Sequence, residues 1–176
     1  LDGLKPLLED KRIPKVGYDL KHVSHVLANH GIALAPFKSD VLLASYVLNS
    51  VAIKHHLPDM VRYYLDHNPA DLESLLGKGR SKRQFSELTV DEAMPYAAEK
   101  ADMVLRLAIL LEDKLANTGH LDGLYRYYEL PLIRVLQRME RTGIRVDADV
   151  LQQQSEELKV KLDELEQKVF NLAGQE

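Results

Sequence analysis

Apolar and polar residues follow helical spacing over most of the chain. In residues 20–30, apolar side chains recur at intervals of three and four positions, and Gly31 follows as a residue that commonly ends helices. Asp40 then precedes the mostly apolar run 41–48, which is typical of a buried helix with an acidic N-terminus. The same pattern predicts two shorter helices, over residues 4–9 and 57–65, and a short strand over residues 15–17.

The strongest helical pattern of the first two-thirds of the chain begins at Thr89. Thr89 and Glu92 have the spacing of a capping box, in which each side chain accepts a hydrogen bond from the other residue's backbone N–H. Apolar residues then recur at alternating steps of four and three as far as Leu115. Residues 66–88, which precede this helix, are polar and irregular, so we predict a surface loop or a set of short turns there.

The last third of the chain predicts two further helices after a break at residues 117–122. The first spans residues 121–142 with a bend at Pro131. The second follows Asp147, a good N-cap residue, and carries an apolar face that requires a partner helix. The members of that face are Leu158, Leu162, Leu165, Val169 and Leu172. The whole pattern predicts a mainly α fold with one or two short strands.

Composition and charge narrow the classes of protein that fit this pattern. The chain of 176 residues is 45% hydrophobic and 28% charged, as in globular domains. Its formal net charge of -4 means that any nucleic-acid-binding surface must be local, because dedicated nucleic-acid binders are usually basic. The absence of cysteine excludes disulfides and thiolate metal sites. With no apolar run of membrane-spanning length and no signal peptide, we expect a cytoplasmic protein without membrane partners.

Eight short segments spread along the chain share their residues, order and spacing with one known family. They are residues 4–10, 15–17, 26–32, 43–50, 77–79, 96–99, 138–143 and 172–176. Through these segments the chain resembles bacterial DNA polymerase I, a family A DNA polymerase. No single segment is diagnostic, but eight of them in register are specific.

The resemblance implies a division of the chain into two parts. Residues 1–116 would be the later part of an RNase H-like 3′–5′ exonuclease domain, truncated because its first strands would lie before Leu1. Residues 117–122 would be a linker, and residues 123–176 would be the connecting helix and the start of the polymerase thumb. We expect this piece to be inactive by itself and to hold no cofactor, whereas magnesium is expected for the parent polymerase.

The resemblance also implies that the nuclease metal ligands are lost. The family reaction uses two metal ions held by carboxylates. The ligand position of its second motif is Val23 here, and that of its third motif is Lys100, while the tyrosine of the third motif is kept as Tyr96. A lysine about 4 Å from a divalent ion would be repelled by roughly 8 kcal/mol at an effective dielectric of about 20. No catalytic residue is therefore intact, and Tyr96 is either a relic or a packed aromatic at the start of a helix.

Two other sets of polar residues fail as metal sites. Glu99 and Asp102 face other directions on the helix than Lys100 and are not expected to replace a carboxylate there. His22 and His25, with Asp19, have helical spacing but lack a fourth zinc ligand. We therefore predict no metal site.

A basic run over residues 78–83 indicates a local DNA-binding surface. It carries four positive charges and no acid, and Phe85 follows it where the family has an aromatic residue that packs against terminal bases. Lys54 takes the place of a basic residue that contacts the strand in the family. The predicted DNA-binding residues are Lys54, Lys82, Arg83 and Phe85. The alternative is a solvated loop in which Phe85 fills the domain core.

Three functions stay open on the sequence alone. The first is a vestigial exonuclease domain of a DNA polymerase I, which acts in replication and repair and uses this part as a scaffold or DNA contact. The second is a helical protein-interaction module, and the third is a live metal-dependent 3′–5′ exonuclease. The expected partners are DNA, missing segments of the parent, or a second copy bound through exposed helix faces. Five residues are expected to have an uncovered side because strands are missing: Leu42, Leu48, Val104, Leu107 and Leu111.

Overall fold

The computed structural model describes residues 1–79 and 82–174 and divides the chain into two compact units, Leu1–Arg141 and Thr142–Glu176. The first unit contains helices α1 (Lys5–Glu9), α2 (Leu20–Asn29), α3 (Val41–Leu48), α4 (Leu57–Leu65), α5 (Leu72–Leu76), α6 (Val90–Ala116) and α7 (His120–Leu124). Strands β1 (Lys15–Gly17) and β2 (Phe37–Asp40) belong to it as well, as does nearly all of α8 (Leu130–Thr142). The second unit contains α9 (Ala148–Ala173).

The two strands form a small parallel sheet with α2 as the crossover between them. Val16 pairs with Ser39 and Gly17 with Asp40, and the register is irregular between Lys15 and Val16. Parallel strands need such a crossover connection because the chain must return to the same end of the sheet. The predicted fold class, mainly α with one or two short strands, is confirmed.

Helix α6 forms the centre of the hydrophobic core. Its residues Leu107, Leu111 and Leu115 recur every four positions and are fully buried. Helices α3 and α4 and strand β1 pack against α6. Each buried leucine contributes about 1.5–3 kcal/mol relative to an exposed one. The core therefore forms around a long helix rather than around the short sheet.

Five apolar residues were expected to have an uncovered side, and for two of them this expectation is wrong. Leu107 and Leu111 are both 0% exposed, because α3 and α4 cover the face of α6 that the sheet leaves free. Leu48 and Val104 are half-buried and pack against the same core. Leu42 is also half-buried. The helices of the first unit thus bury most of the surface that we expected to be open.

The irregularity in the penultimate helical region lies before Pro131. Residues Tyr125–Glu129 form a π-helical turn, and the backbone N–H of Leu130 donates to the carbonyl of Tyr125, five residues earlier. Proline has no N–H to donate to the carbonyl four residues back, and a wider turn in the preceding residues accommodates that loss. The structure thus shows a π turn just before Pro131, while the bend at Pro131 itself stays a prediction.

The helix starts agree with their predicted caps. Thr89 and Glu92 form the reciprocal capping box at α6, and the Asp147 carboxylate accepts the backbone N–H of Val150 at 3.2 Å. Residues 66–88 hold the short turns that were predicted, α5 and the 3₁₀ turn Phe85–Glu87. None of the described helices is both long and apolar enough to cross a membrane.

The first compact unit continues past the predicted linker. Helix α7 and the π turn at residues 125–129 pack against α3, and α7 also packs against α6. The family assignment of residues 123–176 to the polymerase thumb stays a prediction. Within the second unit, the apolar face of α9 is exposed, from 58% at Leu165 to 89% at Leu172.

Candidate nucleic-acid interface

Tyr96 and Lys100 line one cavity at the N-terminal part of α6. They are four residues apart, so they lie on the same face of the helix. The cavity has a volume of about 190 Å³ and is also lined by Tyr18 and by residues at the start of α4. The segment 69–70 lines it as well, so four separate parts of the chain meet here.

Glu99 holds one wall of this cavity in place. Its carboxylate contacts the His67 ring at 2.8 Å and accepts the backbone N–H of Ala70 at 2.9 Å. The His67 hydrogen bond, followed by the Ala70 one, lowers the pKa of Glu99 below its ordinary value. Glu99 lines the cavity beside Lys100, contrary to the expectation that it faces elsewhere, but its oxygens are used to hold the 67–70 segment.

Lys100 contributes an ammonium group to the cavity. It is exposed and forms no ion pair with any residue that the structure describes. Asp102, the other nearby carboxylate considered from the sequence, pairs instead with Arg106 at 2.8 Å. With the Glu99 carboxylate engaged by His67 and Ala70 and an ammonium group at position 100, the cavity offers a divalent cation a poor set of ligands.

Val23 does not join Tyr96 and Lys100. It lies on α2, is half-buried and packs against the hydrophobic core, and it is not among the described residues that line the cavity. The histidine set is also dispersed, since His25 contacts Glu140 at 2.7 Å while Asp19 caps α2 at the N–H of His22. Across residues 1–79 and 82–174, no group of three His, Asp or Glu side chains is placed to hold a metal ion.

Phe85 lies next to the cavity through its contact with Tyr96. The ring centroids are 6.2 Å apart and the planes are tilted by 59°. Such a tilted arrangement is favourable for aromatic pairs. The Phe85 side chain stays 46% exposed and is not part of the hydrophobic core, so it does not fill the core as the solvated-loop alternative expected.

The basic residues Lys82 and Arg83, which precede Phe85, have different surroundings. The Arg83 guanidinium pairs with Glu92 at 3.0 Å, and this pairing follows the Thr89 backbone contact in lowering the pKa of Glu92. Lys82 is exposed, and its backbone N–H donates to the carbonyl of Gly79. Two members of the predicted basic run, Arg80 and Ser81, lie outside the described residues.

Lys54 lies apart from the other predicted DNA-binding residues. It lines a shallow cleft with Asp59, Arg62 and Tyr63 rather than the cavity at Tyr96. Its connection to the cavity is through the chain, since His56, two residues later, lines the cavity wall. Sequence reasoning did not place His56, His67 or Tyr18 at this site, because their partners are distant along the chain and no local spacing marks them.

Comparison with known proteins agrees with this fold. The family described as DNA polymerase I, ribonuclease H-like domain, matches residues 2–107. DNA polymerase I of Pseudomonas aeruginosa is 43% identical over 178 residues, which cover 100% of this chain and 20% of that protein. DNA polymerase I of Rhizobium leguminosarum is 38% identical, with 99% of this chain and 17% of that protein covered.

A solved structure is similar over nearly the same length. The POL domain of Pol1 from M. smegmatis, in complex with DNA primer-template and dNTP, matches with a TM-score of 0.74 and 27% identity. The match covers 99% of this chain and 27% of that one. These matches define a ribonuclease H-like domain, and through it the chain belongs to the DNA polymerase I family. The chain spans about a fifth of the length of the curated relatives it matches.

Proposed function

We propose that this chain is a catalytically silent exonuclease-like part of a DNA polymerase I and that it contacts single-stranded DNA. The parent would carry out template-directed DNA synthesis in replication and repair, with magnesium bound by other segments. The observation that carries the proposal is the position of Lys100, unpaired beside Tyr96 in the cavity on α6.

The chemistry at the two ligand positions argues against metal-dependent cleavage. Divalent ions of this class bind through carboxylate and carbonyl oxygens. The Val23 side chain offers no oxygen, and the Lys100 ammonium repels a cation. Glu99 is the one carboxylate among the described residues that line the cavity, and both of its oxygens are already engaged, with His67 and with the backbone N–H of Ala70. We infer that this part of the chain does not carry out metal-assisted hydrolysis.

The same arrangement favours contact with a strand end. Single strands are held by base stacking on aromatic rings and by cations along the backbone. Phe85 offers an exposed ring beside Tyr96, and Lys82 and Lys100 offer exposed ammonium groups on either side of it in sequence. Pol1 from M. smegmatis, a structural relative, was solved with DNA. The proposed ligand is therefore single-stranded DNA, which is bound without sequence preference.

Fluorescence anisotropy of a labelled single strand tests this proposal. We expect weak binding that falls steeply with salt, because phosphate contacts release counterions. Phe85→Ala should weaken binding by about 1–3 kcal/mol, the value of a lost stacking contact. Tyr127→Ala is the matched control, since Tyr127 is 77% exposed and lies outside the cavity. Equal effects of the two substitutions would contradict the proposal.

Incubation of the chain with the same labelled strand and magnesium or manganese tests whether its nuclease activity is absent. We expect no release of mononucleotides above a blank without protein. Release that a chelator abolishes would overturn the assignment and support the live exonuclease instead.

A second function, protein association, is favoured by α9. Five apolar side chains at steps of four and three are 58–89% exposed along it. Such a seam is typical of a helix that pairs with another helix. We propose that it binds either another segment of the parent or, in this chain alone, a second copy.

A further inference from the structure

A cleft between α8 and the segment 31–35 contains two arginines that the proposed function does not use. Arg134 and Arg141 lie on α8, and Gln137 lies between them on the same side of the cleft. The opposite wall is formed by residues 31–35, and the cleft has a volume of about 450 Å³. We propose that this cleft binds a ligand that carries two neighbouring phosphate groups.

Neutral partners orient both arginines. The guanidinium carbon of Arg134 lies 5.2 Å from the centroid of the Phe37 ring, within the range of a cation–π contact. Nη1 of Arg141 donates to Oδ1 of Asn29 at 3.0 Å. Within the described residues, neither arginine forms an ion pair. Their positive charge is therefore positioned by the fold but not neutralised by it.

The carboxylates near the cleft are already engaged. Glu140, adjacent to Arg141 in the chain, binds Lys21 at 2.6 Å and His25 at 2.7 Å. These contacts, the Lys21 hydrogen bond first, lower the pKa of Glu140. Glu9 accepts the backbone N–H of Ala33 at 2.9 Å and lies 4.0 Å from Lys5. Neither acid competes with an anionic ligand for the two arginines.

The spacing of the arginines selects the class of ligand. A guanidinium is planar and binds phosphate through two parallel hydrogen bonds. Arg134 and Arg141 are seven residues apart, which is about 10 Å along a helix at about 1.5 Å per residue. Both arginines line the same cleft at this separation, so two linked phosphates can contact both guanidinium groups more readily than a single phosphate can. The cleft volume lies within the range of about 300–1,000 Å³ that small-ligand sites occupy.

Two sources supply this chemistry, a free nucleotide with a pyrophosphate group and two successive phosphates of a nucleic-acid strand. The side chains of Ile32 and Leu34 are 2% and 8% exposed. The burial of these two side chains holds the segment 31–35, which forms the opposite wall of the cleft, against the rest of the unit. No residue that lines this cleft also lines the cavity at Tyr96. The two proposals can therefore fail separately.

Calorimetric titration of the full chain with inorganic pyrophosphate, and anisotropy with a short thymidylate oligomer, test the proposal. Arg134→Gln and Arg141→Gln should each weaken binding about tenfold, the loss of a charge-assisted contact. Arg106→Gln removes the same charge from the exposed Asp102–Arg106 pair on α6 and should leave binding unchanged. Arg134→Lys keeps the charge without the planar group, so it should also weaken binding. Melting temperatures would confirm that each variant is folded.

The two probes separate the sources of phosphate. If pyrophosphate binds and the binding requires both arginines, the ligand of the cleft is a free nucleotide with a pyrophosphate group. If only the oligomer binds, the ligand is a nucleic-acid strand. Absence of binding by both probes at low salt, or an equal loss in Arg106→Gln, would overturn the proposal. If Phe85→Ala abolishes oligomer binding while Arg134→Gln and Arg141→Gln have no effect on either probe, the Tyr96 cavity binds DNA and this cleft does not.

Discussion

The hydroxyl of Tyr125 accepts the backbone N–H of Asp40 at 2.8 Å and donates to the carbonyl of the same residue at 3.2 Å. It also lies 3.2 Å from the Ser39 hydroxyl. Tyr125 is 0% exposed, and burial is the main cause that raises its pKa to about 12. This bond joins the π turn to the end of β2, across 85 residues of chain.

Tyr125→Phe should lower the free energy of unfolding by about 1–3 kcal/mol. The substitution keeps the ring but leaves the buried N–H of Asp40 without its partner. Urea denaturation measures the change. Tyr128→Phe is the control, because Tyr128 is 68% exposed and its substitution should have little effect. Equal stability of the two variants would mean that the hydroxyl network contributes nothing.

Glu99→Gln should release the segment 67–70 from α6. Because folding lowers the pKa of Glu99, its contribution to stability is present above the ordinary value of 4.5 and is lost as pH falls through the lower folded value. The protection factor of the Ala70 N–H, which is corrected for the intrinsic exchange rate at each pH, should therefore fall in acid in the unchanged chain. In Glu99→Gln the protection factor should be low at every pH.

Asp102→Asn serves as the control for Glu99→Gln. It removes a carboxylate of the same helix that pairs with Arg106 and makes no contact with the 67–70 segment. Exchange at Ala70 that stays slow in Glu99→Gln would show that other contacts hold this wall of the cavity.

Val23→Asp together with Lys100→Asp should not produce a nuclease in this chain. Among the described residues, Lys100 lines the cavity on α6 and Val23 does not, so the two new carboxylates would not meet at one metal ion. Val23→Asp should also cost about 1–3 kcal/mol, because it places a charge against the hydrophobic core. Nucleotide release with magnesium, measured beside the unchanged chain, checks the prediction. Turnover by the double variant would reveal ligands in residues we have not identified.

Leu162→Gln with Leu165→Gln should weaken self-association through α9 by about a hundredfold. Both leucines belong to the apolar seam, and each is more than half exposed in the single chain. Sedimentation at several concentrations measures the effect. Val160→Gln is the matched control, since Val160 is 58% exposed on α9 but lies outside the steps of four and three. A monomer at all concentrations would reject self-association.

Some features of the candidate site could be predicted from the sequence, and others depend on tertiary contacts. Tyr96 and Lys100 were singled out from the sequence because the resemblance assigns them to the tyrosine and ligand positions of one family motif, four residues apart on one helix. The Phe85–Tyr96 contact and the Glu99 link to His67 were not found, because both depend on how the segment 66–88 folds back on α6.

Local interactions explain what the sequence determined by itself. The long helices, the capping box of Thr89 and Glu92, and the cap at Asp147 depend on residues within a few positions of one another, so periodicity and spacing are enough to predict them. That the side chains at positions 23 and 100 are not carboxylates is likewise read directly from the sequence.

The tertiary structure decided which distant residues meet. The burial of Leu107 and Leu111, the pairing of β1 with β2, and the Tyr125–Asp40 bond all join segments far apart in the chain. Packing energy summed over many such contacts selects these pairings, and no single stretch of sequence encodes them. The cleft at Arg134 and Arg141 has the same origin, because its opposite wall is contributed by a segment about a hundred residues earlier.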